Sequence, residues 1–506
     1  MLNPRTRILQ LNNNRITKVV ADELSYYFEL VSLDLSYNEI FNINYGSFKQ
    51  LRNLQFLRLR GNLIQSLQTG LFLGLRKLRE LDLSENDLNT LPNGVFGDLR
   101  ELERLNLSRN SIHTIGLSAF QGLPNLRALY LQLNEINIIP QLALHSVTSL
   151  QLLDLSYNFI TSIEEDAFKL LKYLEVLRLT GNDIVVVEDN AFLGLDHLKE
   201  LYLDDNALRH VPTLSFRQLT NVNFLTLSGN IFTEIGTSAF EGLASLQELQ
   251  IKNCKDLTVI SINAFSGLYK LRKLILVNNI RLNKIHEHAF EKFDLLKVVD
   301  FQGNNFSLLP QKLLLWKNLQ TLDLRFNPWL CNCDLQWLLE LVQSNEFSLI
   351  DIDSQADTIC SSPDRLKGKS LWTIDSNDLN CSASIWTSGL YLGLLAFGAI
   401  LSLSLIVVCA LVIMYRRNWL PCASLAASKN PKTQPTAYQQ KSAKPSRLAK
   451  IKRSWDGRHP ECQSFLSSSS DSSSLPKTVM APGGDSNQRN SSFKVLVEYP
   501  VPITEL

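Results

Sequence analysis

The chain has 506 residues, and its 50 Lys and Arg against 49 Asp and Glu leave a net charge of +1. That balance lacks the basic signature of nucleic-acid binders and argues against such a partner. It also hides a split, because residues 416–506 hold 14 basic and 6 acidic side chains, so the tail is net +8 and residues 1–415 are net −7.

The first twenty residues, MLNPRTRILQLNNNRITKVV, contain no apolar run of the ~7–15 residues that a cleavable export signal needs. Repetition begins at once. Leu33, Leu35, Asn38 and Ile40 recur as Leu57, Leu59, Asn62 and Ile64, then as Leu81, Leu83, Asn86 and Leu88, a period of 24. The asparagine column runs through Asn14, Asn38, Asn62, Asn86, Asn110, Asn134, Asn158, Asn182, Asn206 and Asn230. It continues as Cys254, Asn279, Asn304 and Asn327, which makes fourteen coils. The pattern LxxLxLxxN/CxL resembles the leucine-rich repeat over residues 8–327.

The resemblance implies an α/β solenoid, a horseshoe whose short strands stack into a parallel concave sheet. A coil of this size cannot bury its own leucines and must stack on neighbours to exclude water. The two leucines of each LxL triplet should point inward and the residues between them outward, because strand side chains alternate. Each asparagine should turn inward and satisfy backbone groups of adjoining turns. Phe48, Phe72, Phe96, Phe120, Phe168, Phe192, Phe216 and Phe240, ten residues after their asparagines, should form a second apolar spine. Fourteen strands ~4.8 Å apart give a sheet on the order of 65 Å along its arc.

The outward column four residues before each asparagine includes Asp34, Arg58, Asn106, Tyr130, Asp154, Arg178 and Tyr202, and the column six before includes Phe56 and Phe224. Aromatic and Arg side chains on a rigid sheet have the composition of a protein-binding hot spot. The partner-binding candidates are therefore Phe56, Arg58, Tyr130, Arg178, Tyr202 and Phe224. A solvated sheet face of varied polarity is the plain alternative. Arg58 and Arg60 make a basic spot, and Glu200, Asp204 and Asp205 an acidic one. Sequons place candidate glycans at Asn106, Asn305 and Asn380. A glycan on Asn106 would shield the fifth coil.

After Asn327 come Cys331, Cys333, Cys360 and Cys381. Four cysteines allow three pairings, and a zinc site is a competitor disfavoured by the absence of a nearby His. The stretch resembles the cysteine-rich C-terminal flank of extracellular leucine-rich repeat proteins. That resemblance implies disulfides Cys331–Cys360 and Cys333–Cys381. No matching cysteine cap precedes the first coil, which leaves Ile8, Leu9 and Leu11 at a bare end. The expectation is a chain that begins downstream of its signal and cap, the alternative being export directed by the span that follows. Cys254, in an asparagine slot, is expected to be a buried inert thiol, against a covalent link to a partner.

Ile385–Tyr415 is thirty-one residues without a charge, where about 20 apolar residues cross a bilayer. Ten Lys or Arg and no acid lie between Arg416 and Trp455, with Asp375 and Asp378 on the other flank, so the positive-inside rule makes the tail cytoplasmic. Trp386 and Trp419 bracket the span as interfacial aromatics do. Cys409 falls within the membrane. Cys422, just inside it beside basic residues, is a palmitoylation candidate against an ordinary free thiol.

The tail is rich in Ser, Pro and Lys, with SSSSDSSS at 467–474, and reads as disordered. Its basic run suits anionic lipid, at about 1 kcal/mol per charge near the surface, and phosphorylation of the serine tract would loosen it. The chain ends Thr504-Glu505-Leu506, the pattern of a type I PDZ ligand, which adds a strand to a sheet edge.

No nucleophile motif, phosphate loop or HExxH occurs, and His286 with His288, the only close histidine pair, falls beyond a strand where a metal role is remote. The reading is a non-enzyme without a cofactor, divided into repeats at 1–327, a C-terminal cap at 328–384, a membrane helix at 385–415 and a cytoplasmic tail at 416–506. That tail has no room for the folded signalling domain of Toll-like receptors. The architecture resembles the neuronal and epithelial leucine-rich repeat adhesion receptors of the Capricious and Tartan type. What the resemblance implies is a type I plasma-membrane protein that recognises a protein ligand outside the cell or on another cell, a second copy of itself included, and couples to a cytoplasmic PDZ scaffold. The departures are the absent N-terminal cap and the absence of immunoglobulin or fibronectin modules. The rival reading is a regulatory subunit of a channel or receptor in the same membrane.

Overall fold

The structure, a computed structural model, describes residues 5–290, 293–343, 357–379, 381 and 389–417. The chain divides into two units, Met1–Ile413 and Met414–Leu506; of the second only residues 414–417, the end of one helix and the turn residue after it, are described.

Fourteen short parallel strands, from Ile8–Gln10 to Thr321–Asp323, join in chain order into one sheet, one strand from each coil. Register shifts by one repeat at each step, so that Leu33 sits beside Leu57 and Leu57 beside Leu81. These leucines are fully buried, while their strand neighbours reach the outer face. Leu9, expected at a bare end, is buried by the second coil and Leu11 is half-buried; only Ile8, which points outward, is largely exposed at 65%.

The asparagine column ties coil to coil. The Asn62 amide donates to the carbonyls of Leu35 (3.0 Å) in the preceding coil and Leu59 (2.9 Å) in its own, while its Oδ1 accepts from the N–H of Ile40 (3.0 Å). One side chain thus satisfies three backbone groups where the chain leaves the strand, in a region too dry for water to do so. Cys254 is buried in the same column and reaches the carbonyls of Leu227 and Lys252 only at 3.6 Å. The phenylalanines stack behind the sheet: Phe48–Phe72–Phe96–Phe120 and Phe168–Phe192–Phe216 have near-parallel rings 5.9–6.5 Å apart. Leu144 fills the place of a phenylalanine in the sixth coil, and Phe265 and Phe290 prolong the spine beyond Phe240.

A second row of two-residue strands lines the outer turn, but in short ladders. Where it runs, the N–H six residues after an asparagine donates to the preceding coil, as Gly116 does to Leu91 (2.8 Å) and Glu188 to Ile163 (3.0 Å). Pro92, Pro140, Pro212 and Pro310 occupy that same register position and have no N–H to give. Pro140 (φ −77°, ψ 60°) and Pro212 (φ −78°, ψ 67°) instead close inverse γ-turns, with Gln141 N–H bonded to Ile139 and Thr213 N–H to Val211. The carbonyl that the next coil would use is then occupied, so the row breaks on both sides of the sixth and ninth coils.

Disulfides Cys331–Cys360 and Cys333–Cys381 close the C-terminal end. Strands Trp329–Leu330 and Cys360–Ser362 pair there, and fully buried Trp329 donates to the carbonyl of Leu324 in the last coil. Farther on, helix Gly389–Arg416 contains Leu395–Met414, long and apolar enough to cross a membrane. Ser402 and Ser404 return their hydroxyls to the carbonyls of Ala399 and Leu401 (both 2.8 Å), so neither leaves an unmet donor on an apolar helix.

Candidate functional site

The outward sheet residues form separate groups. In the second to fifth coils, Arg58 lies between Asp34 (4.0 Å) and Glu80 (3.9 Å), with Phe56 half-buried beside it. Arg60 bonds Glu85 at 2.8 Å and lies 5.5 Å from the centre of the Tyr37 ring. Arg109 approaches Glu85 from the other side at 3.8 Å. The Arg60 hydrogen bond holds the Glu85 carboxyl below the usual carboxylate range.

A second group occupies the seventh to tenth coils. Arg178 faces Asp154 at 3.7 Å and lies 5.3 Å from the centre of the Tyr202 ring, a cation–π contact. Tyr202 and Phe224 pack at 5.1 Å with rings tilted by 41°. The Tyr202 hydroxyl donates to Glu200 (2.9 Å); burial first, then that bond, push its phenol up to about 12, so it stays a neutral donor. Burial also raises the Asp204 carboxyl, opposed by donors from Thr226 and Ser228. The result is an amphipathic ridge: two aromatic faces, one guanidinium and a rim of carboxylates, all on strands that cannot rearrange without disturbing the leucine core beneath.

The structure thus brings Arg178, Tyr202 and Phe224 together, and Phe56 with Arg58. Tyr130 stands apart on the sixth coil, between Asn106 and Asp154 in register. The column immediately before each asparagine also reaches this surface, and strand alternation does not reveal it, because those residues lie in the turn with positive φ: Tyr37 (54°), Glu85 (55°), Arg109 (55°) and Tyr157 (54°). The signal was present as Gly61 and Gly181. Each lies under the ring of a tyrosine in the preceding coil, Tyr37 and Tyr157, where a Cβ would collide with that ring.

Among the sequons, Asn106 accepts from the backbone (3.1 Å) and hydroxyl (2.7 Å) of Ser108, and Asn305 is exposed. Asn380, Cys422, Thr504 and Leu506 lie outside the described residues. His286 Nδ1 accepts from the backbone of His288, and no cluster of three metal-ligating side chains occurs among the described residues. Burial pushes the Cys254 thiol up to about 12, far from nucleophilic use.

The leucine rich repeat family model matches residues 4–64, 52–112, 76–136, 100–158, 129–184, 172–232 and 225–280. Chondroadherin of Mus musculus is 32% identical over 100 residues, covering 20% of this chain and 26% of that protein. Tsukushi-A of Xenopus laevis is 41% identical over 70 residues, covering 13% of this chain and 20% of that protein. The chain therefore spans about a quarter or less of the length of these relatives. The solved TLR13–ssRNA13 complex superposes with a TM-score of 0.52 at 24% identity, over 73% of this chain and 60% of that one, a likeness of fold alone. With matches running unbroken from residue 4 to residue 280, more than half of its length, the chain belongs to the leucine-rich repeat family.

Proposed function

We propose that this chain is a single-pass type I receptor of the plasma membrane that recognises a protein partner outside the cell through its sheet face, in adhesion or cell–cell recognition. The observation that carries the reading is the Arg178–Tyr202–Phe224 ridge, since aromatic and Arg side chains on a rigid, water-excluding support dominate protein-binding energetics. Repeats at 1–327, a cap at 328–384, a span at 385–415 and a cytoplasmic tail at 416–506 complete the proposal. Tyr202→Ala and Phe224→Ala should each weaken partner binding by about 1 kcal/mol or more while surface expression holds, because both side chains face away from the core. Unchanged affinity in both variants would hand recognition to the cap or the span.

Topology follows from the basic flank after Arg416. A tag inserted after Ser382 should be reachable on intact cells and one after Arg417 should not; the reverse labelling would overturn the orientation. In the same scheme Asn106, Asn305 and Asn380 are glycosylated, Cys422 is palmitoylated, and Thr504 with Leu506 docks a PDZ scaffold. One residue added after Leu506 shifts the carboxylate and leucine out of register, so capture of a PDZ protein by a tail peptide should vanish. Capture that survives the addition would remove the PDZ element alone.

A further inference from the structure

After each spine phenylalanine the chain turns back toward the next strand. On that turn, fourteen residues after their asparagines, Arg52, Arg76 and Arg100 stand on three consecutive coils. Lys49, Arg52, Arg76 and Lys77 line one cavity of about 460 Å³, in which Asp98 is the one acidic side chain. All four basic side chains are exposed. None of them pairs with a carboxylate among the described residues, and the Lys77 ammonium donates to the neutral Asn53 side chain at 2.9 Å.

Cations at the equivalent place in two later coils do meet carboxylates. Lys169 meets Asp166 (2.7 Å) and Arg217 meets Glu241 (2.9 Å), both eleven residues after their asparagines as Lys49 is after Asn38, and Lys199, just before its strand, meets Glu175 (2.7 Å). At the Lys49 position those two coils neutralise their cation; about this cavity the second and third coils do not. The floor beneath is stiff, because Gly74 (φ 92°) lies so close to the Lys49 carbonyl that a Cβ there would approach to 2.5 Å. Four cations held about a rigid cavity with one carboxylate, Asp98, leave an excess of positive charge there, and an anionic ligand relieves the repulsion.

We propose that this cavity and its row of arginines bind a sulfated glycosaminoglycan. Guanidinium forks take sulfate oxygens in bidentate fashion. Arginines repeated on successive coils, on a turn that follows spine rings 5.9–6.5 Å apart, suit an extended chain of regularly spaced anions better than one small ion, which a single Arg would satisfy. The side is distinct from the sheet face, so polysaccharide and protein partner can be held together. The inference rests on the outward placement of the solenoid proposed above, and the experiment separates the two.

A fluorescent heparin oligosaccharide is added to intact cells that lack their own glycosaminoglycans and carry the full chain tagged after Ser382. The tag reports whether the solenoid faces outside. Expected is heparin binding that weakens with added salt and falls about fivefold for each of Arg52→Ala and Arg76→Ala, the scale of one exposed ionic contact. The pair Lys199→Ala and Arg217→Ala, whose charges are already neutralised, should leave binding unchanged, and unsulfated hyaluronan should not compete. A reachable tag without heparin binding, or equal binding by the Arg52→Ala, Arg76→Ala double variant, overturns the glycosaminoglycan site while leaving the topology intact. Equal competition by hyaluronan or by phosphatidylserine vesicles overturns it as well. A hidden tag removes the outward placement, and this site with it.

Discussion

Asn182→Ala is expected to destabilise the solenoid by about 1–3 kcal/mol. The Asn182 amide donates to the carbonyls of Leu155 and Leu179 (3.0 Å each), and its Oδ1 accepts from the N–H of Ile160 (3.1 Å). Alanine leaves the buried Ile160 N–H without a partner, at about 1–3 kcal/mol, while the carbonyls of Leu155 and Leu179 each lose one of two donors and keep those of Asn158 and Asn206 (3.0 Å each). Water cannot replace the amide without parting two stacked coils. Asn14→Ala is the control, since Asn14 is exposed and bonds only its own coil, at Leu11 (3.0 Å) and Asn12 (3.2 Å). Asn182→Cys should fall between, because Cys254 occupies the same column with a thiol in place of the amide. Denaturant titration of the full chain in detergent, followed by tryptophan fluorescence near the cap and by protease cutting in the eighth coil, reads the effect. Asn182→Ala and Asn14→Ala with the same midpoint would show that the column does not bind the coils together.

Most of the solenoid was legible because its chemistry repeats. Leu57 and Asn62 each stand for about a dozen equivalents and Phe72 for nine, and a single period assigns strand, inward turn and spine together. Legibility failed where the period drifts. Coils of 25 residues move Phe265 and Phe290 one position from the slot held by Phe240, so a ten-residue rule stops short although the rings continue to stack. Most breaks of the second row were also written in the sequence, in four prolines at one register position. Reading it requires asking which N–H the next coil needs, a question about neighbours that the periodicity of leucines does not raise.

The candidate site was legible only in part, for a different reason. Alternation along a strand says that Arg178, Tyr202 and Phe224 point outward; it does not say that a guanidinium on one coil settles over a ring on the next while Tyr130, equally outward, stays separate. Those choices depend on side-chain reach across ~5 Å between strands and on which carboxylate competes for each Arg. The uncompensated cations of Lys49, Arg52, Arg76 and Lys77 were invisible for the same reason, since a charge count cannot tell a paired Lys199 from an unpaired Lys49.

Cys360→Ser should cost about 2–5 kcal/mol, as loss of a native disulfide does, and should hold the chain back in the secretory pathway. Cys331 and Cys360 are buried at the centre of the cap, where the Cys331 N–H also bonds Ser362 at 2.8 Å and Phe326 of the last coil bonds Asp357 at 3.1 Å. The cap covers the apolar end of the stack, so releasing it exposes Leu322, Leu324 and Trp329, buried residues for which no fifteenth coil substitutes. Fraying should begin there and run backward through neighbouring coils. Cys381→Ser is expected to be milder, because Cys333 lies at the exposed rim and its bond to Cys381 fastens the edge of the cap rather than its centre. Surface levels, together with thiol labelling under native conditions, test both: Cys360→Ser should gain one reactive thiol at Cys331 and lose most of its surface pool, while Cys381→Ser gains one at Cys333 and keeps more. Equal surface levels for Cys360→Ser and wild type would mean that the last coil is closed by the packing of Trp329 and its neighbours without help from the disulfide.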